Sequence, residues 1–392
     1  MIFPPLDKKE RLEWQGMLMP ADSPRLLAAT VLFTLSLLAI PFAYVEAVAG
    51  LYLVYAAVFY YMLTRAISSI VAMAVPGMIL YAISVFAPAL PHPYLMPAVY
   101  AAVMMGSVSG AFLLLHCRAK KFLPLCLIPV AVYAAAAAVA GPFQALWVLV
   151  PVVLAPVLAH GIWNCRAQTP VLITLAALLA LAGVVSFLVF YGLHGWPQLN
   201  PFREITALVQ RGVDAFFRTL AAAYETQGLD VGMVIGDTSW VCAAICNVLP
   251  GIFLAGCAIF AFGMYRTFLR VLVCWGTLPK VPARVGALTA SPLSAGLYLG
   301  SYLLSLLAGE GIFGAVCENL SLVLEPAFVL IGVMSLLVHK PGRSPRFSFL
   351  FLILSIGLVV NFPTLALSLA ALLGAVRVLL ARFFGGGEGE KK

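Results

Sequence analysis

From Leu26 to Leu63 the chain carries one charged side chain, Glu46. That stretch is about twice the roughly 20 residues a helix needs to cross hydrocarbon. It therefore reads as two spans, 26–44 and 47–64, turning between Pro41 and Gly50. Further apolar segments follow at 66–89, 95–117, 122–140, 143–163 and 169–191, and after a polar interlude at 238–262, 287–308, 312–338, 346–361 and 363–382. The pattern predicts an all-α integral membrane protein of about twelve transmembrane helices, or ten to eleven if 346–382 or 122–163 holds a re-entrant pair. Composition agrees: 63% of residues are apolar and 10% charged, against about 45–50% and 25% in soluble domains. Those proportions exclude a soluble enzyme and a disordered chain. Ala47-Val48-Ala49 has the look of a signal-peptidase site, but the apolar stretch before it exceeds the roughly 7–15 residues of a signal core. The expectation is an uncleaved helix.

Charge placement sets the expected orientation. The amino tail, Arg65, the Arg118/Lys120/Lys121 cluster, Arg166, Arg266/Arg270/Lys280/Arg284, Lys340/Arg343/Arg346 and the carboxyl tail together hold 20 of the 23 basic residues. Only Arg203, Arg211 and Arg218 fall in the intervening segments, all within one long loop. Short cytoplasmic loops collect Lys and Arg because these residues are costly to translocate. The alternation places both termini in the cytoplasm and makes the span count even, in a multi-pass protein of the inner (cytoplasmic) membrane. The net charge of +8 is then an inner rim that meets anionic lipid. It is not a nucleic-acid surface, since basic and aromatic residues form no contiguous groove pattern.

The expected organisation is a polar cytoplasmic tail (1–25), a six-helix membrane module (26–168), a connecting span (169–191), an extracytoplasmic loop (192–237), a second membrane module (238–384) and a short cytoplasmic tail (385–392). In the loop, Phe202, Ile205, Leu208, Val209, Val213, Phe216, Phe217, Leu220 and Tyr224 recur at three- and four-residue intervals between polar residues. That spacing predicts an amphipathic helix, lying flat as a connector or closing over the bundle as a lid. Arg211, Asp214 and Arg218 stand at i, i+3 and i+7, where one carboxylate is placed to bridge two guanidiniums. Trp196 and Trp240 flank the loop as interface anchors.

Two small-xxx-small patterns lie inside apolar segments, Gly106 to Gly110 and Gly296 to Gly300. Glycine lets helix backbones approach in lipid. The expected use is packing within the chain, with docking to another subunit as the alternative. Prolines inside the spans (Pro76, Pro129, Pro151, Pro156, Pro250, Pro326) each free a carbonyl and kink the helix unless neighbours compensate.

Catalytic and metal motifs are missing. The eight cysteines show no C-x-x-C spacing and read as small apolar packing residues. The five histidines are dispersed near span ends. No H-E-x-x-H, P-loop or G-x-S-x-G occurs. No cofactor, metal or enzymatic activity is expected. One ionisable constellation lies in an apolar stretch: Glu318-Asn319 followed by Glu325-Pro326. Residues seven apart return to nearly one helix face, and Glu325 falls at the centre of 312–338. An intramembrane carboxylate costs several kcal/mol unless protonated, paired or wet, and points to function. The other reading starts the span at Leu320, with Glu318 in the outer interface and Glu325 protonated against a neighbouring helix. Asn247, beside Pro250-Gly251, is a second polar position near a kink.

Several of these residues carry a resemblance. Leu249-Pro250-Gly251 followed by Arg266 and Arg270, Glu318-Asn319-Leu320 leading to Ile331-Gly332-Val333 before Lys340, and a last hairpin through Pro363 to Leu373-Gly374 and Arg377 resemble the YybS-like family of bacterial polytopic membrane proteins. The first six spans are similar in outline to the substrate-binding S components of energy-coupling-factor transporters. These resemblances imply a protein acting through partners or small-molecule binding: the lipid bilayer, an unidentified small ligand, and another membrane subunit or an ATPase-coupled module. A secondary transporter with Glu325 carrying a proton or cation is the alternative. Its inner loop between spans six and seven, Ala167 to Pro170, is short for that class.

Overall fold

The computed structural model describes residues 7–64, 67–85, 91–117, 122–141, 145–193, 201–225, 238–286, 288–308, 311–337 and 363–384. Among them the chain forms fourteen helices. They are α1 (Lys8–Met17), α2 (Ser23–Phe42), α3 (Glu46–Thr64), α4 (Ile67–Val85), α5 (Leu95–His116), α6 (Phe122–Val139) and α7 (Leu149–Trp163). Then come α8 (Gln168–Leu193), α9 (Pro201–Glu225), α10 (Ser239–Cys274), α11 (Ala283–Gly286), α12 (Pro292–Ala308), α13 (Ile312–Leu337) and α14 (Pro363–Phe384). Five stretches, Ser23–Phe42, Leu95–His116, Gln168–Phe190, Ser239–Cys274 and Ile312–Val333, are long and apolar enough to cross a membrane. Every other expected span falls on a shorter apolar helix, except 346–361, which lies outside the described residues. Arg65, the Arg118 cluster, Trp196 and the Lys340 cluster also lie outside them.

The chain divides into two compact units. The larger comprises Pro5–Cys246 and Phe260–Gly286, and the smaller Asn247–Ile259 and Ala287–Lys392 with Met1–Pro4. The core of the larger unit is α5, buried without interruption from Ala101 to Leu113. Its sequence is apolar on all sides, as a helix surrounded by others must be. The Gly106–Gly110 pattern packs inside the chain. A Cβ on Gly106 would lie 3.2 Å from Pro151 of α7 and 3.3 Å from Ser36 of α2. One on Gly110 would lie 2.9 Å from the Phe33 ring and 3.1 Å from Ala155. Ser107 and Ser109, between the glycines, satisfy their hydroxyls on the Val103 and Met105 carbonyls at 2.7 and 2.6 Å.

The first 25 residues are more than a polar tail. Asp7 caps α1 by accepting from the Glu10 amide at 2.7 Å, and Glu10 accepts from the Asp7 amide at 3.2 Å, a reciprocal capping box. Trp14 is buried and its indole N–H donates to the Ile162 carbonyl at 2.7 Å. The Gln15 side-chain amide donates to the Trp163 carbonyl at 3.3 Å and the Met19 amide to the Thr277 carbonyl at 3.0 Å, so this segment is tied at three points to the rest of the larger unit.

Helix α10 runs twelve residues past the expected end of its span at 262. At about 1.5 Å per residue it is far longer than a roughly 30 Å hydrocarbon layer. The continuation carries Arg266 and Arg270, where the sequence suggests a cytoplasmic loop. It stays helical because one face is apolar: Met264, Tyr265, Phe268, Leu269, Val271 and Leu272 are buried. Tyr265 donates to the Val285 carbonyl at 3.1 Å and Arg266 to the Gly286 carbonyl at 2.9 Å, closing α11 back onto it.

The amphipathic segment forms α9, with the expected bounds extended by one residue at each end. The charge ladder on it does not form. Asp214 accepts instead from Gln210 at 2.9 Å and from the Thr238 hydroxyl at 2.9 Å. Arg211 turns back to the Ala207 carbonyl at 3.2 Å. The carboxylate faces the start of α10, where two neutral donors occupy it, and neither Arg211 nor Arg218 pairs with it among the described residues. Trp240 is 70% exposed at the first turn of α10, as an interface anchor requires.

Candidate functional site

In the smaller unit, α12, α13 and α14 pack as a trio around Ala295, Tyr298, Phe328, Ala371 and Ala375, all buried. Small residues on α14 are what allow this. Gly332 of α13 and Gly374 of α14 lie backbone against backbone. A Cβ on Gly332 would strike the Ala370 carbonyl, and one on Gly374 the Phe328 carbonyl. Contacts climb both helices together, from Glu325 with Ser368 to Gly332 with Gly374, so α13 and α14 run parallel. α12 ends at Ala308 and α13 begins at Ile312. Two packed helices so close in sequence run antiparallel, which brings Tyr298 to the Phe328 ring at 5.2 Å between centroids.

That geometry sets the surroundings of Glu325. It lies two turns before the glycine contact, half-buried, where the Ser368 hydroxyl offers its carboxyl a hydrogen bond. Tyr298 packs on the same helix from α12. Its side chain is 1% exposed, its ring lies on Phe328, and its hydroxyl has no hydrogen-bond partner among the described residues. A buried phenol without a partner is an exception in folded chains. Pro326, one residue after Glu325, has no N–H to give the Leu322 carbonyl four residues earlier. Two hydroxyl-bearing side chains, Ser368 of α14 and Tyr298 of α12, thus lie on the helices packed against the one that carries this carboxyl group.

Glu318 does not join them. It is exposed on the first half of α13 and its side chain makes no bond among the described residues. Seven residues return to the same face, but they also move about 10 Å along the axis, and Ser368 meets only the later of the two carboxylates.

Asn319 and Asn247 are brought together through backbone. The Asn319 amide oxygen accepts from the Gly251 N–H at 2.5 Å, while its amide nitrogen donates to the Asn247 carbonyl at 2.8 Å and to the Ala315 carbonyl at 2.7 Å. Asn247 C=O and Gly251 N–H are the pair that an unbroken α-helix joins to each other. Asn319 inserts into this rung, beside Pro250, which is one of the recognised causes of a kink. Gly251 has no side chain to obstruct it: a Cβ there would lie 2.7 Å from the Asn319 oxygen. The side chain of Asn247 itself is exposed and takes no part.

The second glycine pair behaves unlike the first. Gly296 and Gly300 meet no described atom within 4 Å, because α12 buries the face carrying Ala295, Tyr298 and Ser301. They do not pack α12 within the described chain. Sequence reasoning singles out Glu325 but misses Tyr298 and Ser368. The only signal for either is a hydroxyl inside an apolar run, which many spans carry without consequence. Among the described residues no three His, Cys, Asp or Glu side chains gather as a metal site of that kind would require.

No protein-family model, curated protein or solved structure matches the chain.

Proposed function

We propose that this protein is a multi-pass membrane protein with about twelve spans and both termini cytoplasmic, binding a small solute in a transport-related role without catalysis of its own. The observation that carries this reading is Glu325. It is a half-buried carboxyl in an apolar helix, beside the Ser368 hydroxyl of a second helix. Ionisable groups at such positions mark solute and ion pathways. The kinship with YybS-like proteins belongs to this proposal on the resemblance of short motifs alone. Within this chain those motif residues lie at helix crossings, Gly251 against Asn319 and Gly332 against Gly374. The S-component outline of the first half, and docking to a further membrane subunit or an ATPase-coupled module, belong to this proposal on resemblance alone.

Water access to Glu325 tests the reading. In a chain with its eight cysteines replaced, Glu325→Cys is expected to react with a membrane-impermeant maleimide in native membranes. A cysteine that reacts only after denaturation in detergent overturns it and leaves Glu325 as a helix-contact residue.

A further inference from the structure

We propose that the groove between the end of α7 and the start of α8 holds one anionic phospholipid, its phosphate on Arg166 and the upper part of a chain along the apolar wall. The site owes nothing to the reading of Glu325. Its leaflet follows from the proposed orientation, which puts the α7–α8 turn on the cytoplasmic side.

Four residues, Asn164 to Ala167, join the two helices, and packed helices joined so briefly run antiparallel. Gly161 lets them close: a Cβ there would lie 2.9 Å from a Val171 methyl group. Two bonds hold the turn. The Cys165 amide donates to the Ile162 carbonyl and the Arg166 amide to the Gly161 carbonyl, both at 2.9 Å, the paired closure made around a left-handed residue. That residue is Cys165, buried at φ 48°, where glycine is the usual occupant. The closure ties the Arg166 backbone to Gly161, so the arginine stands at the mouth of the groove.

Beyond the turn the groove runs between Pro156 and Val157 of α7 and Pro170 and Val171 of α8. It encloses about 350 Å³, near the lower end of the roughly 300–1,000 Å³ of ligand pockets. That is room for a headgroup and the first carbons of a chain, with the rest in the bilayer. Charge selects the occupant. The lining holds no carboxylate, and the Arg166 guanidinium is exposed, with no hydrogen bond or ion pair among the described residues. His160, also in the lining, is taken up by the Asn164 side-chain amide at 3.1 Å. One unpaired positive charge at the end of an apolar wall matches an amphiphile with one net negative charge. A zwitterionic lipid would bring a second cation to a groove with no acid to receive it, and free phosphate would use the arginine but not the wall. Arginine grips phosphate through paired N–H bonds, and basic pockets between helices on the cytoplasmic side suit anionic headgroups.

The test uses the full chain purified in gentle detergent and stripped of lipid. Thermal unfolding is followed as phosphatidylglycerol or phosphatidylcholine with the same chains is added in mixed micelles. Phosphatidylglycerol is expected to raise the unfolding temperature saturably, as a ligand selective for the folded state does, while phosphatidylcholine and inorganic phosphate do not. Arg166→Gln is expected to raise the half-saturating amount about fivefold or more, the loss of one basic contact with anionic lipid. Arg377→Gln removes an exposed cation from α14 and is expected to leave that amount unchanged, which separates this site from a general attraction of a chain with net charge +8. Thr174→Trp fills the groove from α8 and keeps its charge; it is expected to weaken binding too, and carries the test if Arg166→Gln fails to fold. Equal shifts with the two lipids overturn the proposal, as does a phosphate response equal to that of phosphatidylglycerol. So does an unchanged response in Arg166→Gln or Thr174→Trp, or a loss as large in Arg377→Gln. None of these readings depends on which leaflet the turn faces, so they stand if the orientation fails.

Discussion

At the scale of single residues, four glycines in two similar contexts have opposite roles. Gly332 and Gly374 hold two backbones in contact, and a methyl on either collides with a main-chain carbonyl that has no rotamer to escape through. Gly332→Ala and Gly374→Ala are each expected to cost at least the roughly 1–3 kcal/mol of an overpacked core. Gly296 and Gly300 meet no described atom, so Gly296→Ala and Gly300→Ala are expected to gain about 0.5–1 kcal/mol from helix propensity. Unfolding by denaturing detergent measures all four. The same sign for both pairs would contradict the α13–α14 contact. The two G-x-x-x-G patterns, at 106–110 and 296–300, look alike as sequence, yet only the first is covered. The pair that matters most, 332 with 374, belongs to no shared pattern. Two glycines so far apart in the chain give no local hint that they meet.

At the scale of elements, the existence of helices is legible in the sequence and their use is not. Apolar run length predicts the helices of the apolar segments, and three- and four-residue periodicity predicts α9, because both depend on local spacing. The Asp7–Glu10 capping box is also there to be read, at the spacing that starts helices, though the surrounding charge disguises it as a tail. The continuation of α10 is hidden because Arg266 and Arg270 suggest a loop, while the buried face beneath them depends on partners distant in sequence. The ladder of Arg211, Asp214 and Arg218 fails for the same reason. Spacing allows it, but Thr238, 24 residues on, competes for the carboxylate and wins. Removing Arg211 or Arg218 is therefore expected to change stability by less than about 0.5 kcal/mol. Thr238→Val should cost about 1–3 kcal/mol by leaving Asp214 short of a donor. Titration of the three variants with denaturing detergent checks this, and a larger loss from either arginine would restore the ladder.

At the scale of the whole molecule, the described chain is helical throughout, with five helices long and apolar enough to cross a membrane. Scarcity of charge makes Glu325 stand out in the sequence, and packing explains why that position is tolerated. The site is half legible: the carboxylate by its cost in lipid, its neighbours on α12 and α14 only once those helices are placed beside α13. The account depends most on that placement. In a cysteine-free background, the pair Glu325→Cys and Ser368→Cys joined by a short bifunctional thiol reagent in native membranes is the direct measurement. Efficient cross-linking is predicted, with none for Glu318→Cys paired with Ser368→Cys. Cross-linking of the Glu318 pair and not the Glu325 pair would contradict the parallel register, and with it the placement of Ser368 beside Glu325.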